Sequence, residues 1–452
     1  MLQRVAAFFL SGPDRPVSLL GDALVKTYER WRMSVFLSVT FGYTVFYTCR
    51  VNFSVAKKGM LEEGVLDASQ MGIIGSALLV VYAVGRLVNG FLADRLHVGH
   101  FIASSLLASA ILNLLFGMSS SFFILLPIWA LNGWLQSGGS APCVVALSHW
   151  FTSRERGTRY GIWSISHTLG EAITFGATGA IVAAFGWRAG FIAPAFLAVI
   201  VAFILFWTLA DRPQTLGLPP VWQYKGELEP QREAKEPIGR LQLEVIRNVG
   251  VWVLGLASAT TYVARYGMDH WGPLFLQVTK GYSEAAAGML MSIAPVTGVA
   301  GVYLSGFISD RLFGSRRQVP LLCDGLLEIT ALILLRLLPP GQPWLDAVLM
   351  AAFGFGMGGM TVFLGGLMAV DIVSRRAAGA AMGIVGVFSY LGAAIQDTVS
   401  GFLLHGATTT ADGRPHLPPE SFDPVLFFWI AASVVSIVLA SSLPLFKRTS
   451  AS

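Results

Sequence analysis

Twelve predominantly apolar runs follow one another along this chain, each long enough to cross the hydrocarbon core of a bilayer as a helix of about 20 residues. Inside lipid no water pairs with the backbone, so such runs form helices whose N–H and C=O groups bond within the segment. The runs fall into two groups of six: 35–56, 70–93, 100–118, 121–147, 157–185 and 188–210, then 249–276, 284–308, 318–338, 344–369, 378–402 and 424–446. Between the groups lies a polar stretch, 211–248, with six basic residues, six acids and five prolines, which reads as a tether between two halves. The expected organisation is an N-terminal segment 1–34, a six-helix bundle over 35–210, the linker 211–248, a second bundle over 249–446 and a tail 447–452. The fold class is an all-α membrane protein of twelve transmembrane helices.

Composition narrows the function. Charged residues make up 13% of the chain, about half the usual share, and hydrophobic residues 54%. A soluble enzyme, a disordered scaffold and a nucleic-acid binder are therefore poor readings despite the net charge of +5. Cys49, Cys143 and Cys323 sit singly in apolar runs, so no disulfide framework is expected. After Arg4 a short apolar run, Val5 to Leu10, meets a Pro- and Asp-containing turn without a small-residue cleavage site, so no signal peptide is expected. No metal-ligand spacing or nucleophile motif occurs, and Gly354-x-Gly356-x-Gly358-Gly359 reads as a helix-packing surface. Neither an enzyme nor a metal or cofactor is expected.

Charge also orients the chain. If both termini face the cytoplasm, 22 of the 31 Lys and Arg residues lie on that side, five on the other and four within spans. The positive-inside rule favours that topology, in the inner membrane of a bacterial cell or an organelle membrane of a eukaryote.

The two halves are copies. Gly90-Phe91-Leu92-Ala93-Asp94-Arg95-Leu96 follows span 2, and Gly306-Phe307-Ile308-Ser309-Asp310-Arg311-Leu312 follows span 8, displaced by 216 positions. Gly161-Ile162 and Leu169-Gly170 in span 5 match Gly383-Ile384 and Leu391-Gly392 in span 11. Each copy begins after an even number of crossings, so the bundles keep one orientation and are related by an axis along the membrane normal. Asp94, Arg95, Asp310 and Arg311 then sit at helix ends on the side of the termini, where they read as gating residues. Asp324, Glu328 and Asp397 are interhelical partners or pathway residues.

Tyr47-Thr48-Cys49-Arg50 in span 1 and Tyr262-Val263-Ala264-Arg265 in span 7 are displaced by 215, so each half supplies one intramembrane guanidinium. Burying an arginine in a span costs at least about 2.5–3.5 kcal/mol, so it faces a cavity or a partner. A guanidinium fork matches phosphate or carboxylate oxygens. The pair reads as a shared anion site, or, in the other reading, as two structural salt bridges, with Glu171 the clear acid in the first half.

With its Gly-x-x-x-Asp-Arg turn after span 2 echoed after span 8, the chain resembles the major facilitator superfamily over nearly its whole length. Within it, Phe41-Gly42-Tyr43 through Tyr47, Arg50, Asn52 and Phe53, then Trp163-Ser164-Ile165-Ser166-His167, then Tyr262-x-x-Arg265-Tyr266-Gly267-Met268-Asp269-His270-Trp271 resemble the organophosphate:phosphate antiporter family. Asp211-Arg212-Pro213-Gln214-Thr215-Leu216-Gly217-Leu218-Pro219-Pro220 is similar to its segment after span 6. That family includes glycerol-3-phosphate and hexose-phosphate transporters and a sugar-phosphate sensor.

The resemblance implies a midplane site between the halves in which Arg50 and Arg265 hold phosphate. His167 would hydrogen-bond substrate, with Tyr43, Tyr47, Tyr82, Trp163 and Tyr262 around it. For His167 a helix-to-helix hydrogen bond is the alternative, for each tyrosine plain packing, and for Arg86, a third cation near the pathway, a structural role. The sequence departs from the family at Val51, Ser164, Thr168 and Glu171; a carboxylate one turn from His167 leaves proton coupling open. In span 11, Met382 and Val385 stand where hexose-phosphate transporters can carry an acid and a lysine, while Asp269 to Trp271 are spaced as in those transporters, so the sugar is not assigned. The function implied is exchange of an organic phosphate ester for inorganic phosphate by a monomer in the bilayer. A sensor of the same fold with a kinase partner, or a proton-coupled organic-anion symporter, are the alternatives.

Overall fold

The computed structural model describes residues 8–93, 95–227, 243, 245–314, 316–373, 377–404, 408–409 and 415–443. It contains twelve helical traverses. In the first bundle span 1 is two helices, Gly21–Thr48 and Asn52–Glu62. Span 2 is Ala68–Ala93, span 3 Val98–Gly117, span 4 Phe122–Ser137 with Ser140–Trp150, span 5 Ser153–Phe185 and span 6 Ala189–Thr208. In the second, span 7 is Val249–Lys280, span 8 Glu284–Leu312, span 9 Gln318–Leu337, span 10 Pro343–Val362 continued to Ile372, span 11 Ala378–Leu403 and span 12 Asp423–Ser442. Among the described residues nine helices are long and apolar enough to cross a membrane on length and composition alone. The other three traverses are the interrupted spans 1 and 4, and span 7, which carries Arg265, Asp269, His270 and Lys280 in one helix.

The helices depart from the sequence expectation in three ways. The first helix starts at Gly21, well before the apolar run, because its polar opening turns are held by packing outside the hydrocarbon. Arg32 there donates from Nε to the Trp150 carbonyl at 3.1 Å and pairs with Glu29 at 2.8 Å and Glu155 at 2.5 Å. Glu155 in turn completes a capping box with Thr152 at the start of span 5. Span 4 is interrupted at Gly138–Gly139, where the ring of Tyr43 in span 1 lies against the glycine backbone. Spans 5 and 10 each contain a wide π-turn, at Thr174–Thr178 and Phe363–Leu367.

The opening of the linker stretch is folded against the first bundle. Asp211 accepts from the Val98 backbone N–H at 3.0 Å, its carbonyl accepts from the Trp150 indole at 3.1 Å, and Tyr224 stacks on Tyr28 with ring centroids 3.8 Å apart. The N-terminal segment lies alongside, with Arg212 paired to Asp14 at 3.0 Å and Leu10 bridged to Leu96.

The bundles meet tightly on the face opposite the termini. A Cβ on Gly288 of span 8 would stand 2.3 Å from the Phe175 carbonyl of span 5, and one on Gly72 of span 2 would stand 2.4 Å from the Asp397 carbonyl of span 11. Only glycine permits either approach. Ser292 donates to the Ala172 carbonyl at 2.8 Å, Ser76 to the Ala394 carbonyl at 2.6 Å, and Lys58 faces Glu284 at 3.6 Å. On the terminal side of this seal a cleft lies between spans 5, 7, 8 and 10, where the Tyr303 hydroxyl of span 8 is 3.5 Å from the Gly161 carbonyl of span 5.

Candidate functional site

Arg50 sits in a break of the membrane helix, and three other spans make that break possible. Between Thr48 and Asn52 the helical ladder is interrupted, which frees backbone groups at bilayer depth that need partners. The Cys49 carbonyl accepts from Asn113 Nδ2 of span 3 at 3.0 Å and Asn132 Nδ2 of span 4 at 2.9 Å. Asn52 Nδ2 donates to Asn113 Oδ1 at 2.9 Å and to the Gly190 carbonyl of span 6 at 3.1 Å. Ser109 and Gln136 continue the network, with Ser109 donating to Asn132 Oδ1 at 2.6 Å and Gln136 donating to Ser109 Oγ at 2.8 Å. The interruption is a fixed bend held from behind.

From that bend the Arg50 side chain, 6% exposed, reaches the second bundle and donates from Nη2 to the Tyr266 hydroxyl at 3.1 Å. Its guanidinium carbon lies 4.4 Å from the Tyr82 ring centroid and 5.5 Å from that of Tyr47. Arg265 shares Tyr266 with it, its guanidinium carbon 5.9 Å from that ring and 5.6 Å from Tyr262. Tyr390 of span 11 closes the group, 4.9 Å from Tyr82, 6.0 Å from Tyr262 and 6.2 Å from Tyr266, with the Arg86 guanidinium 5.9 Å from its ring. Aromatic faces hold guanidinium ions by cation–π attraction of about 0.5–2 kcal/mol while leaving N–H donors free for a ligand.

Arg265 also faces two carboxylates, Glu171 Oε1 of span 5 at 3.8 Å and Asp269 Oδ2 one turn along its own helix at 3.7 Å. These three residues and His167 line the cleft, together with Ser164, Thr168, Tyr303 and apolar side chains of spans 8 and 10. Its empty volume is about 730 Å³, counting the open mouth. The size suits a small organic anion. Both arginines act electrostatically on Glu171, Asp269 and His167.

The residues singled out from the sequence therefore fall in three places. Arg50, Arg265, Tyr47, Tyr82, Tyr262 and Arg86 share the aromatic group, and His167 lies in the cleft with its ring centroid 5.9 Å from that of Tyr47. Tyr43 and Trp163 are a buried pair with centroids 5.1 Å apart, and Tyr43 also meets Tyr47 edge to face at 5.6 Å. The third set is on the face of the termini. Asp310 pairs with Arg317 at 2.5 Å, Arg317 is 3.7 Å from Asp371, and Arg311 lies 5.5 Å from the Phe307 ring, all within the second bundle. Arg95 is exposed at the end of span 2, and Asp94 lies outside the described residues.

Sequence reasoning left out Tyr266 and Tyr390. Tyr266 adjoins Arg265 within a stretch already matched, and the offset of 222 that relates span 5 to span 11 sets Tyr390 opposite Thr168, next to His167. It named Asp397 as an interhelical partner or pathway residue but missed the polar cluster around it, deeper in the seal. Lys57 and Asp397 are wholly buried and 4.0 Å apart across the bundles, and Asp397 accepts from the Trp271 indole at 2.8 Å and contacts His270 Nδ1 at 2.5 Å. Lys57 Nζ lies 3.4 Å from the Trp271 ring centroid.

Comparison with known proteins agrees with this architecture. Residues 39–396 match the family model of the Major Facilitator Superfamily. A probable hexose phosphate transport protein of Chlamydia muridarum is 33% identical over 399 residues, covering 84% of this chain and 87% of that protein. The membrane sensor protein UhpC of Salmonella typhimurium is 31% identical over 374 residues, covering 82% and 84%. Among solved structures, a bacterial homologue of the human lysosomal transporter Spinster, in an inward-facing and unoccupied conformation, superposes with a TM-score of 0.75 at 18% identity, covering 93% of this chain and 99% of that one.

Proposed function

Because this chain belongs to the Major Facilitator Superfamily, in which two bundles rock about a central site, we propose that it exchanges a small organic phosphate ester, of the sugar phosphate or glycerol phosphate class, for inorganic phosphate. The single observation that carries this reading is the meeting of Arg50 and Arg265, one from each bundle, around the Tyr266 ring and hydroxyl. A phosphate group offers oxygens to both forks at once, so it draws the bundles together from opposite sides. The relatives support the ester class, since the Chlamydia protein is named for hexose phosphate transport.

The termini are cytoplasmic in this reading, in accord with the excess of Lys and Arg on their side. A bound anion offsets the charge of the two arginines as the cleft closes around them in a low-dielectric setting. An empty carrier passes that point less readily, so a second phosphate on the return leg favours exchange over net flow. The ligand drives closure only to the extent that it binds the closed state more tightly.

Proteoliposomes loaded with inorganic phosphate test this directly. External radiolabelled phosphate should accumulate by counterflow, and an unlabelled organic phosphate should compete and drive efflux of the internal label. The UhpC match gives the sensor reading a footing, and binding of ester without any counterflow would replace the transporter with it.

A further inference from the structure

The cleft holds more negative charge than a phosphate site needs. Arg265 lines the cleft with two carboxylates, Glu171 and Asp269, while Arg50 and Arg86 lie in the adjoining aromatic group; counted together with both carboxylates ionised, these five residues carry one net positive charge. A phosphate ester dianion with a purely hydroxylic tail turns that into a net negative charge between the bundles, a costly arrangement in a closed, low-dielectric cavity. The carboxylates are also poor counterions for Arg265. At 3.8 and 3.7 Å neither is within hydrogen-bond reach, whereas a pair that existed to neutralise the guanidinium would close to a fork of about 2.7–2.9 Å. Both residues line the open cleft, on spans 5 and 7, on opposite bundles.

Resting on the phosphate-exchange reading above, we infer that the cargo is a zwitterionic phosphate ester, whose protonated amine is received by Glu171 and Asp269 while Arg50 and Arg265 hold its phosphate. The amine restores neutrality in the loaded cleft. Dihydrogen phosphate, a monoanion, does the same on the return leg, so the two legs carry equal charge. Hydrogen bonds between an ammonium and two ionised carboxylates are among the stronger polar contacts. They give selectivity for an amine over a hydroxyl of the same shape, since the hydroxyl leaves the carboxylates uncompensated.

The test measures competition for phosphate counterflow by glucosamine 6-phosphate and by glucose 6-phosphate. These differ only in an amine against a hydroxyl. The amino ester should compete at a concentration at least about tenfold lower in the wild-type protein. In Glu171→Gln, and independently in Asp269→Asn, the ratio between the two esters should fall toward one, read within each variant whatever its absolute rate. Equal competition by both esters in the wild type, or a ratio that survives both substitutions, overturns the inference. If one variant fails to fold, the wild-type ratio and the other variant still decide. Absence of wild-type phosphate counterflow would instead remove the exchange reading, so the two failures are told apart.

Discussion

Lys57 of the first bundle places its ammonium 4.0 Å from a carboxylate oxygen of Asp397 in the second, with both side chains wholly buried. Trp271 lies under the ammonium, and the outer glycine contacts close around the pair. Removing one partner leaves a buried charge uncompensated, at a cost of about 3–5 kcal/mol. That cost falls on the sealed state alone, because a splayed outer face lets water reach the remaining charge. Asp397→Asn should therefore populate an outward-open form. A cysteine placed at Ser76 should then react several-fold faster with an impermeant thiol reagent, and adding Lys57→Met should return the rate toward that of the parent.

Gly288 offers a steric counterpart. The nearest atoms a methyl there would meet, at Phe175 and Gly179, belong to the opposite bundle, so the clash falls between bundles. Gly288→Val should wedge the outer seal and slow exchange at least about tenfold, with thermal stability in detergent close to the parent. Loss of stability in place of loss of exchange would show that the glycine serves folding.

Arg50→Lys and Arg265→Lys keep charge but remove the planar fork and its bidentate geometry. Each should reduce phosphate counterflow by at least about tenfold, and the double variant should abolish it. Uptake at the parent rate in either single variant would refute a paired grip on phosphate.

The interruption of span 1 depends on the two asparagines that hold the Cys49 carbonyl. Asn132→Leu removes the donor to Cys49 and the acceptor for Ser109 and should lower stability by about 0.6–2 kcal/mol, the scale of interhelical hydrogen bonds in a membrane. Counterflow should fall too, since the bend that aims Arg50 is loosened. Thermal unfolding in detergent and transport in vesicles report the two effects separately.

At the end of the first bundle that carries the N-terminus, burial pushes the carboxyls of Glu29 and Glu155 upward, but hydrogen bonds and charge from Arg32 more than offset it and hold both below the ordinary range. A carboxylate held low contributes stability that is present above its unfolded value, about 4.3, and lost as pH falls through the folded one. The melting temperature should drop as pH is lowered below about 4, and part of that slope should vanish in Arg32→Gln. Solvent screening moderates the effect, because both glutamates are partly exposed.

What could be read from residue order was what repeats or what is costly. The duplicated Gly-x-x-x-Asp-Arg turns and the two intramembrane arginines are legible because a shifted copy and a buried guanidinium stand out without coordinates. The break before Asn52 was not legible, since its supports at Asn113 and Asn132 come from 64 and 83 residues beyond Cys49 and look like ordinary polar residues in apolar runs. Lys57 reads in sequence as one more basic residue near an outer loop. Its burial against Asp397 follows from packing between halves, which periodicity within one half does not report.

Span 7 runs unbroken from Val249 to Lys280, whereas its counterpart in the first half is jointed. Arg265 and Trp271 thus ride on one helix, about 9 Å apart along its axis, with Pro273 leaving the Asp269 carbonyl between them without its helical donor. If Arg265 grips cargo as proposed, the guanidinium that captures it and the indole that backs Lys57 share one helix, so capture on one side and release of the far door have a common lever.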